Sequence, residues 1–309
     1  MKLKNQALVF IAAAAVCRLP LLAQQDFTDV QIKTIPVAGK VYMLEGSGGN
    51  IGVSVGSGGV LIVDDQYAPL SEKIAEALAK LGDRKPKFIL NTHWHGDHTG
   101  GNEAFGKSGT IIAHTNVRKR LSTKQELFGR TVGPQPNDAL PVITFDDSLA
   151  IHFNDEEIRA VHFPNSHTDG DIVIYFPESN VIHMGDLFFN GTFPFVDLDH
   201  GGSVQGLIRS VEVVLGMLSG SAEPAGPLGK ITHQARLIPG HGPLADANDL
   251  KVYHQMLTET TQLVRDARKA GRSLDEIKAA GVQDKWAAWG NGFILTSAWL
   301  ETIYNDLSR

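Results

Sequence analysis

The residues best able to do chemistry in this 309-residue chain crowd into one run, His93-Trp94-His95-Gly96-Asp97-His98. His93 and His95 stand two apart, so in extended backbone both side chains leave one face while Trp94 leaves the other to pack. Asp97 and His98 follow at a turn opened by Gly96. Four nitrogen and oxygen donors in so short a segment are costly to place unless a cation collects them. Imidazole combined with carboxylate suits zinc, with iron and manganese as the other candidates. Three further donors are each expected at a strand end before a turn. They are His167 in Pro164-Asn165-Ser166-His167-Thr168-Asp169-Gly170, Asp186 in His183-Met184-Gly185-Asp186, and His241 in Ile238-Pro239-Gly240-His241-Gly242-Pro243. The flanking glycines let the backbone turn tightly and carry a side chain inward.

The elements that must position these donors can be read from periodicity. Thr34 to Glu45 and Ile51 to Val55 have strand character, separated by a Gly-Ser-Gly-Gly turn. Val60 to Val63 forms a buried strand ending at Asp64-Asp65, and Leu70, Ile74, Leu78 and Leu81 recur at helical spacing. Phe88-Ile89-Leu90 is the next buried strand, so the histidine run lies just beyond a strand's C-terminal end, where open α/β sheets place their ligands. Strands are expected at Thr110 to Ala113, Ile151 to Phe153, Ile158 to Val161, Ile172 to Phe176, Val181 to Met184 and Arg236 to Ile238. Helices are expected at Gly206 to Leu218, Ala247 to Ala270, Leu274 to Ala280 and Phe293 to Leu307, with Gly220 to Gly229 a surface loop. The order strand-rich, helical, strand-rich, helical implies an α/β fold of two sheets packed face to face with helices outside.

Composition bounds the function. Hydrophobic content of 42% and charged content of 20% are those of an ordinary globular domain. Lys2 and Lys4 precede the apolar run Ala7 to Val16, and Leu21-Leu22-Ala23 offers a small residue for cleavage. That is the layout of a secretory signal peptide over residues 1–23, with a buried N-terminal helix as the alternative, and it implies a periplasmic or secreted mature domain over 24–309. Cys17, the only cysteine, lies in this segment; it could serve as a lipid anchor, although Val16 is a poor residue before one. Cleavage after Ala23 removes Lys2, Lys4 and Arg18, taking net charge from −6 to −9 and leaving no cysteine and no stably inserted segment. An acidic surface without a basic run argues against nucleic acid as a partner, and a small molecule is the expected substrate.

The donors in order resemble the metallo-β-lactamase superfamily, whose His-x-His-x-Asp-His, His, Asp, Gly-His succession spans Val41 to about Leu244. The resemblance implies a four-layer αβ/βα sandwich with the site at one edge and two Zn²⁺ per chain. His93, His95 and His167 would hold one, Asp97, His98 and His241 the other, and Asp186 would bridge both. It also makes Asp64 the strand-end group that orients the histidine loop, with His183 a candidate for the same kind of support. Where the best-known β-lactamases of the family carry a bridging cysteine this chain has Asp186, and Phe189 stands where they carry a substrate-binding lysine. Aspartate at the bridge resembles glyoxalase II and lactonases instead, although the C-terminal Trp289 to Ile294 and Trp299 do not resemble the glutathione-binding domain of glyoxalase II.

The implied chemistry is attack of a metal-activated water on a cyclic amide or ester carbonyl, with Asp97 orienting the nucleophile and shuttling its proton. β-Lactam turnover is one expected outcome, and lactone, thioester or other small-ester hydrolysis is the alternative. A mononuclear iron oxygenase or flavodiiron-type protein on the same fold is the reading from another class, and a metal-binding protein without activity is the last. Phe188, Phe189, Phe193 and Phe195 cluster after Asp186 and could wall a substrate pocket. His114, His152, His162, His200, His233 and His254 are isolated and are expected to be ordinary surface or core histidines.

Overall fold

The computed structural model describes residues 26–220, 228–229, 231–232 and 234–309. The expected signal peptide, Cys17, His233 and most of the loop expected at 220–229 lie outside the described residues.

The first sheet begins as an antiparallel meander: β1 (Lys33–Ala38), β2 (Val41–Glu45), β3 (Ile51–Gly56) and β4 (Gly59–Val63). The expected single run from Thr34 to Glu45 is therefore a hairpin. Gly39 adopts φ +55°, a left-handed conformation that glycine takes without steric cost, and the chain reverses there. Helix α1 (Ser71–Leu81) then carries the chain to β5 (Phe88–Asn91), which joins β4 in parallel. Two short helices, α2 (Gly96–Thr99) and α3 (Asn102–Phe105), lead to β6 (Thr110–His114), parallel to β5. Helix α4 (Thr115–Leu121) and a separate hairpin, β7 (Gln125–Leu127) with β8 (Arg130–Val132), precede β9 (Ile143–Phe145), the last strand of this sheet.

The second sheet is β10 (Ser148–Phe153), β11 (Glu156–His162), β12 (Ile172–Phe176) and β13 (Val181–Phe189) in antiparallel order. A fifth strand, β14 (Arg236–His241), lies parallel to β13 after the crossover helix α5 (Val204–Leu218). Strand β13 runs five residues past its expected end at Met184. Its register against β14 shifts around Gly185, whose φ is +50°, and this bulge lets pairing resume on the far side. Asp186 thus lies within a strand rather than at its end. Helices α6 (Ala247–Lys269), α7 (Leu274–Ala280), α8 (Asp284–Ala287) and α9 (Thr296–Asp306) close the chain.

Strand alternation divides the apolar residues into layers. Met43, Leu61, Val63 and Leu90 of the first sheet meet Ile158, Ile172, Ile174 and Ile238 of the second in a core between the sheets. The alternate residues Val60, Ile62 and Ile89 turn outward beneath Ile74 and Leu78 of α1. On the opposite outer face, Val173, Ile182 and Met184 pack under Leu207 and Val211 of α5, Tyr253 and Leu257 of α6, and Trp299 of α9. Each completely buried Leu, Ile or Phe contributes about 1.5–3 kcal/mol by leaving water. The result is a four-layer sandwich of helices, sheet, sheet and helices. Among the described residues no helix is long and apolar enough to cross a membrane.

Candidate metal centre

All seven sequence-predicted donors meet at one edge of the sandwich, in two groups: His93, His95, His167 and Asp186, and Asp97, His98 and His241. The loop after β5 and the start of α2 supply four of them. His167 comes from the loop after β11, Asp186 from β13 and His241 from the end of β14.

In the first group three imidazole nitrogens converge. His95 Nδ1 lies 3.0 Å from His93 Nε2 and 2.8 Å from His167 Nε2. The other nitrogen of each ring is already engaged. His93 Nδ1 lies 3.0 Å from the Thr92 hydroxyl, which itself donates to Asp64. His95 Nε2 lies 2.9 Å from Asp197 Oδ2, and His167 Nδ1 donates to the Phe195 carbonyl at 2.8 Å. Burial holds His93 well below the ordinary histidine range and brings His167 down to about 4, so these rings are neutral near pH 7. With the outer nitrogens donating, the three inner ones are bare lone pairs aimed at one point, an arrangement that repels itself until a cation occupies that point.

Asp186 lies between the groups. Its Oδ2 faces His167 Nε2 at 3.4 Å and His93 Nε2 at 3.7 Å, while its Oδ1 faces His98 Nε2 at 3.1 Å and His241 Nε2 at 3.5 Å. Oδ1 is completely buried and has no satisfactory hydrogen-bond partner, which in a carboxylate of this burial points to a missing positive ligand. In the second group Asp97 Oδ2 lies 3.4 Å from His241 Nε2 and 3.7 Å from His98 Nε2. Burial opposes charge on His98 and His241, but Asp186 and Asp97 outweigh it, holding His98 well above its usual range and His241 at about 9. Asp97 is depressed to about 2, since His98 and His241 overcome the cost of its burial. Each of the two donor groups could hold a cation, and Asp186 lies between them.

Asp64 organises the histidine run. Its carboxylate accepts from the Thr92 backbone N–H and hydroxyl, each at 2.7 Å, and from His98 Nδ1 at 2.7 Å. Its backbone is left-handed, φ +64°, a conformation costly for a non-glycine residue and maintained here by those bonds. His183 does not touch a donor. Its Nε2 donates to the Asn50 carbonyl at 3.1 Å and its Nδ1 accepts from the Gly185 N–H. Asn50 in turn donates to the carbonyls of Pro239 and Gly242 on either side of His241, so His183 supports the two loops flanking the centre. The backbones approach closely here: a Cβ on Gly240 would fall 2.1 Å from Asp186 Oδ1, and one on Gly49 2.1 Å from the His98 ring.

Asp197 and His200 are the supporting residues that the sequence does not reveal. Asp197 bonds His95 through Oδ2 and His200 Nδ1 through Oδ1, the latter at 2.7 Å, so a histidine expected to be ordinary steadies the carboxylate that orients a donor. Nothing in an Asp-Leu-Asp-His run announces a partner about a hundred residues away.

A cavity of about 700 Å³ opens over the centre. Asp97, Asp186 and His241 line its floor; Phe189, Phe193 and Phe195 form part of the wall. Phe188 does not. It points to the opposite side of β13, completely buried against Tyr253 of α6, because neighbouring strand residues face opposite ways. Trp94 packs with Ala113, Val117, Leu121 and Leu140, and its edge also borders the cavity. Tyr67 is a further lining residue; burial and the nearby Asp97 and Asp186 raise it to about 12, so it keeps its phenolic proton.

A family model described as the metallo-beta-lactamase superfamily matches residues 41–219, more than half of the chain, and the protein belongs to that superfamily. The DIM-1 metallo-beta-lactamase is similar in structure, with TM-score 0.57 and 18% identity, over 74% of this chain and 99% of that one. The sec-alkyl sulfatase PisA1 matches 89% of this chain and 50% of its own, with TM-score 0.63 and 16% identity. At these identities both show the fold. In sequence the chain is 27% identical over 164 residues to the 2,4-dinitroanisole O-demethylase subunit alpha of Nocardioides sp. (strain JS1661), covering 51% of this chain and 47% of that protein. It is 26% identical over 175 residues to the linear primary-alkylsulfatase of Pseudomonas sp. (strain ATCC 19151), covering 45% of this chain and 33% of that protein. The chain thus spans less than half the length of these two relatives.

Proposed function

We propose that the protein is a two-zinc hydrolase acting on the carbonyl of a cyclic amide or ester, with β-lactams among its substrates, and that it works outside the cytoplasm after loss of residues 1–23. The observation that carries this reading is Asp186, whose two oxygens face two separate donor groups while Oδ1 lacks any other partner. Zinc held there would lower the pKa of a water toward about 7 and polarise a carbonyl oxygen. His93, His95 and His167 would hold one ion and Asp97, His98 and His241 the other. Asp97 lines the cavity floor and its low pKa keeps it ionised, so it can accept a hydrogen bond from a nucleophilic water and orient it. Tyr67 stays protonated and offers a hydrogen bond to oxygen on the same side. Trp94 and Phe189 exclude bulk water, which strengthens each of these electrostatic interactions.

The second reading, hydrolysis of a lactone, thioester or other small ester, is favoured by the apolar cavity and by Phe189 where a lysine would grip a carboxylate. The two curated relatives are named for substrates joined through oxygen, which agrees with an oxygen leaving group. A mononuclear iron oxygenase would leave the second donor group unused.

The test is removal of metal with a chelator, checked by elemental analysis, followed by assays with nitrocefin, a lactone panel and a thioester panel. Activity should vanish and return with about two zinc ions per chain. Full turnover by verified metal-free protein, or one tightly held iron as the native content, would overturn the proposal. N-terminal sequencing of protein recovered from the medium or periplasm should begin at residue 24.

A further inference from the structure

The cavity is lined mainly by carbon, and its aromatic rings are connected in order from the floor to the surface. The Phe195 ring stands 5.5 Å from that of His95 and 5.8 Å from that of His167. Phe128 stands 4.7 Å from Phe195, and Phe293 meets Phe128 edge-on at 5.7 Å. Phe128 and Phe293 are 60% and 79% exposed, a costly placement for phenylalanine, yet they come from unrelated elements and touch each other at the cavity rim. Phe128 caps the turn between β7 and β8, where Phe128 and Gly129 both take positive φ, at 51° and 71°. That backbone is ordinary for glycine but strained for phenylalanine, so the ring is presented outward at a local conformational cost. Phe293 lies in a bend before α9, whose extended cap residue is Leu295, so that helix starts at Thr296 and not at the expected Phe293.

Charge in the lining points the same way. Arg120 is the only lysine or arginine among the described lining residues, and it is engaged. Its Nη2 lies 2.6 Å from Asp169 Oδ2, its Nε donates to Asp169 Oδ1 at 3.4 Å, and its Nη1 donates to Gln125. Among the described lining residues, therefore, no lysine or arginine is left uncommitted for an anionic group.

We infer that Phe195, Phe128 and Phe293 form a hydrophobic clamp for a long alkyl or aryl arm, so the preferred substrate is a neutral ester carrying such an arm. This rests on the hydrolase reading and narrows it to lipophilic esters, with lactones as the test case. The arm would run along the ring series while the carbonyl reaches the floor near Asp97. Burial of each methylene would raise kcat/KM by up to about four-fold, equivalent to about 0.8 kcal/mol.

The experiment compares zinc-loaded protein acting on δ-valerolactone, on its pentyl homologue δ-decalactone, and on a δ-decalactone analogue ending in a carboxylate. Proton release is the readout. Wild type should prefer δ-decalactone over both by at least about ten-fold in kcat/KM, equivalent to about 1.4 kcal/mol. Phe128→Ala with Phe293→Ala should collapse that ratio, and the paired leucine variants should restore part of it. In parallel, zinc-loaded protein is titrated with the neutral dye N-phenyl-1-naphthylamine, whose emission should rise with wild type and not with the double alanine variant. Equal rates on the two neutral lactones, or equal dye binding by wild type and the double alanine variant, would overturn the clamp. Dye binding that depends on the two phenylalanines with no cleavage of any lactone would support the clamp and reject lactone hydrolysis.

Discussion

The two halves of the metal centre are built differently. His93, His95 and His167 are buried rings, each with its outer nitrogen engaged by Thr92, Asp197 or the Phe195 carbonyl. In the other half His98 is buried and bonded to Asp64, but Asp97 and His241 stand at the cavity with side chains 23% and 27% exposed. The first half is fixed in shape by those outer contacts. The second is ionic, with carboxylates and raised histidines compensating one another. The contrast suggests a division of labour in which the closed half grips a cation and the open half faces substrate.

The substitution with the largest expected effect removes that contrast. Asp186→Asn takes one charge from both halves, so metal content should fall toward one ion or fewer per chain. Hydrolysis should drop by about a thousand-fold or more, since each 1.36 kcal/mol of lost transition-state stabilisation is ten-fold in rate. Retention of two ions and near-normal turnover would show that Asp186 does not join the halves. Asp97→Asn should separate binding from reaction. It leaves the closed half intact, so kcat is expected to fall by about 10²- to 10⁴-fold while at least one ion stays bound. Asp197→Ala acts on the closed half from outside, freeing His95 to rotate, and competition titration should find metal bound there about 10- to 100-fold more weakly. Equal weakening of both ions would contradict the division.

The smallest effect is expected away from both halves. Glu259 on α6 accepts from Lys285, Gln255 and Trp286, which hold it near 2. A carboxylate depressed on folding stabilises the native state above its ordinary value and loses that contribution as pH falls. Glu259→Gln should therefore lower the melting temperature slightly at pH 6, with the difference from wild type shrinking between about pH 4.5 and pH 2. Metal content should not change.

What could be read from the sequence follows the range of the interactions. The donors were legible because four of them share six positions and the rest carry glycine-marked turns. The layers were legible because alternation and helical spacing are local patterns. The brace from Asp197 to His95 was not, because it is a contact between distant loops. The β7–β8 hairpin escaped because its strands are only three residues long and its turn places phenylalanine in a conformation where glycine or asparagine is usual. Phe188 was misassigned for a related reason. A run of two phenylalanines in a strand must send one to each face, and only the bulge at Gly185 decides which faces the cavity.

The donors are also divided between the sheets. His93, His95, Asp97 and His98 follow a strand of the first, whereas Asp186 and His241 stand on strands of the second. Any ion bound there fastens one sheet to the other across the open edge of the sandwich, in a chain with a single cysteine. Free metal at a hundred times its dissociation constant adds about 2.7 kcal/mol to the folded state. Depletion of the ion would loosen the layers along with the catalyst, so survival of the protein in its surroundings would track the local supply of metal.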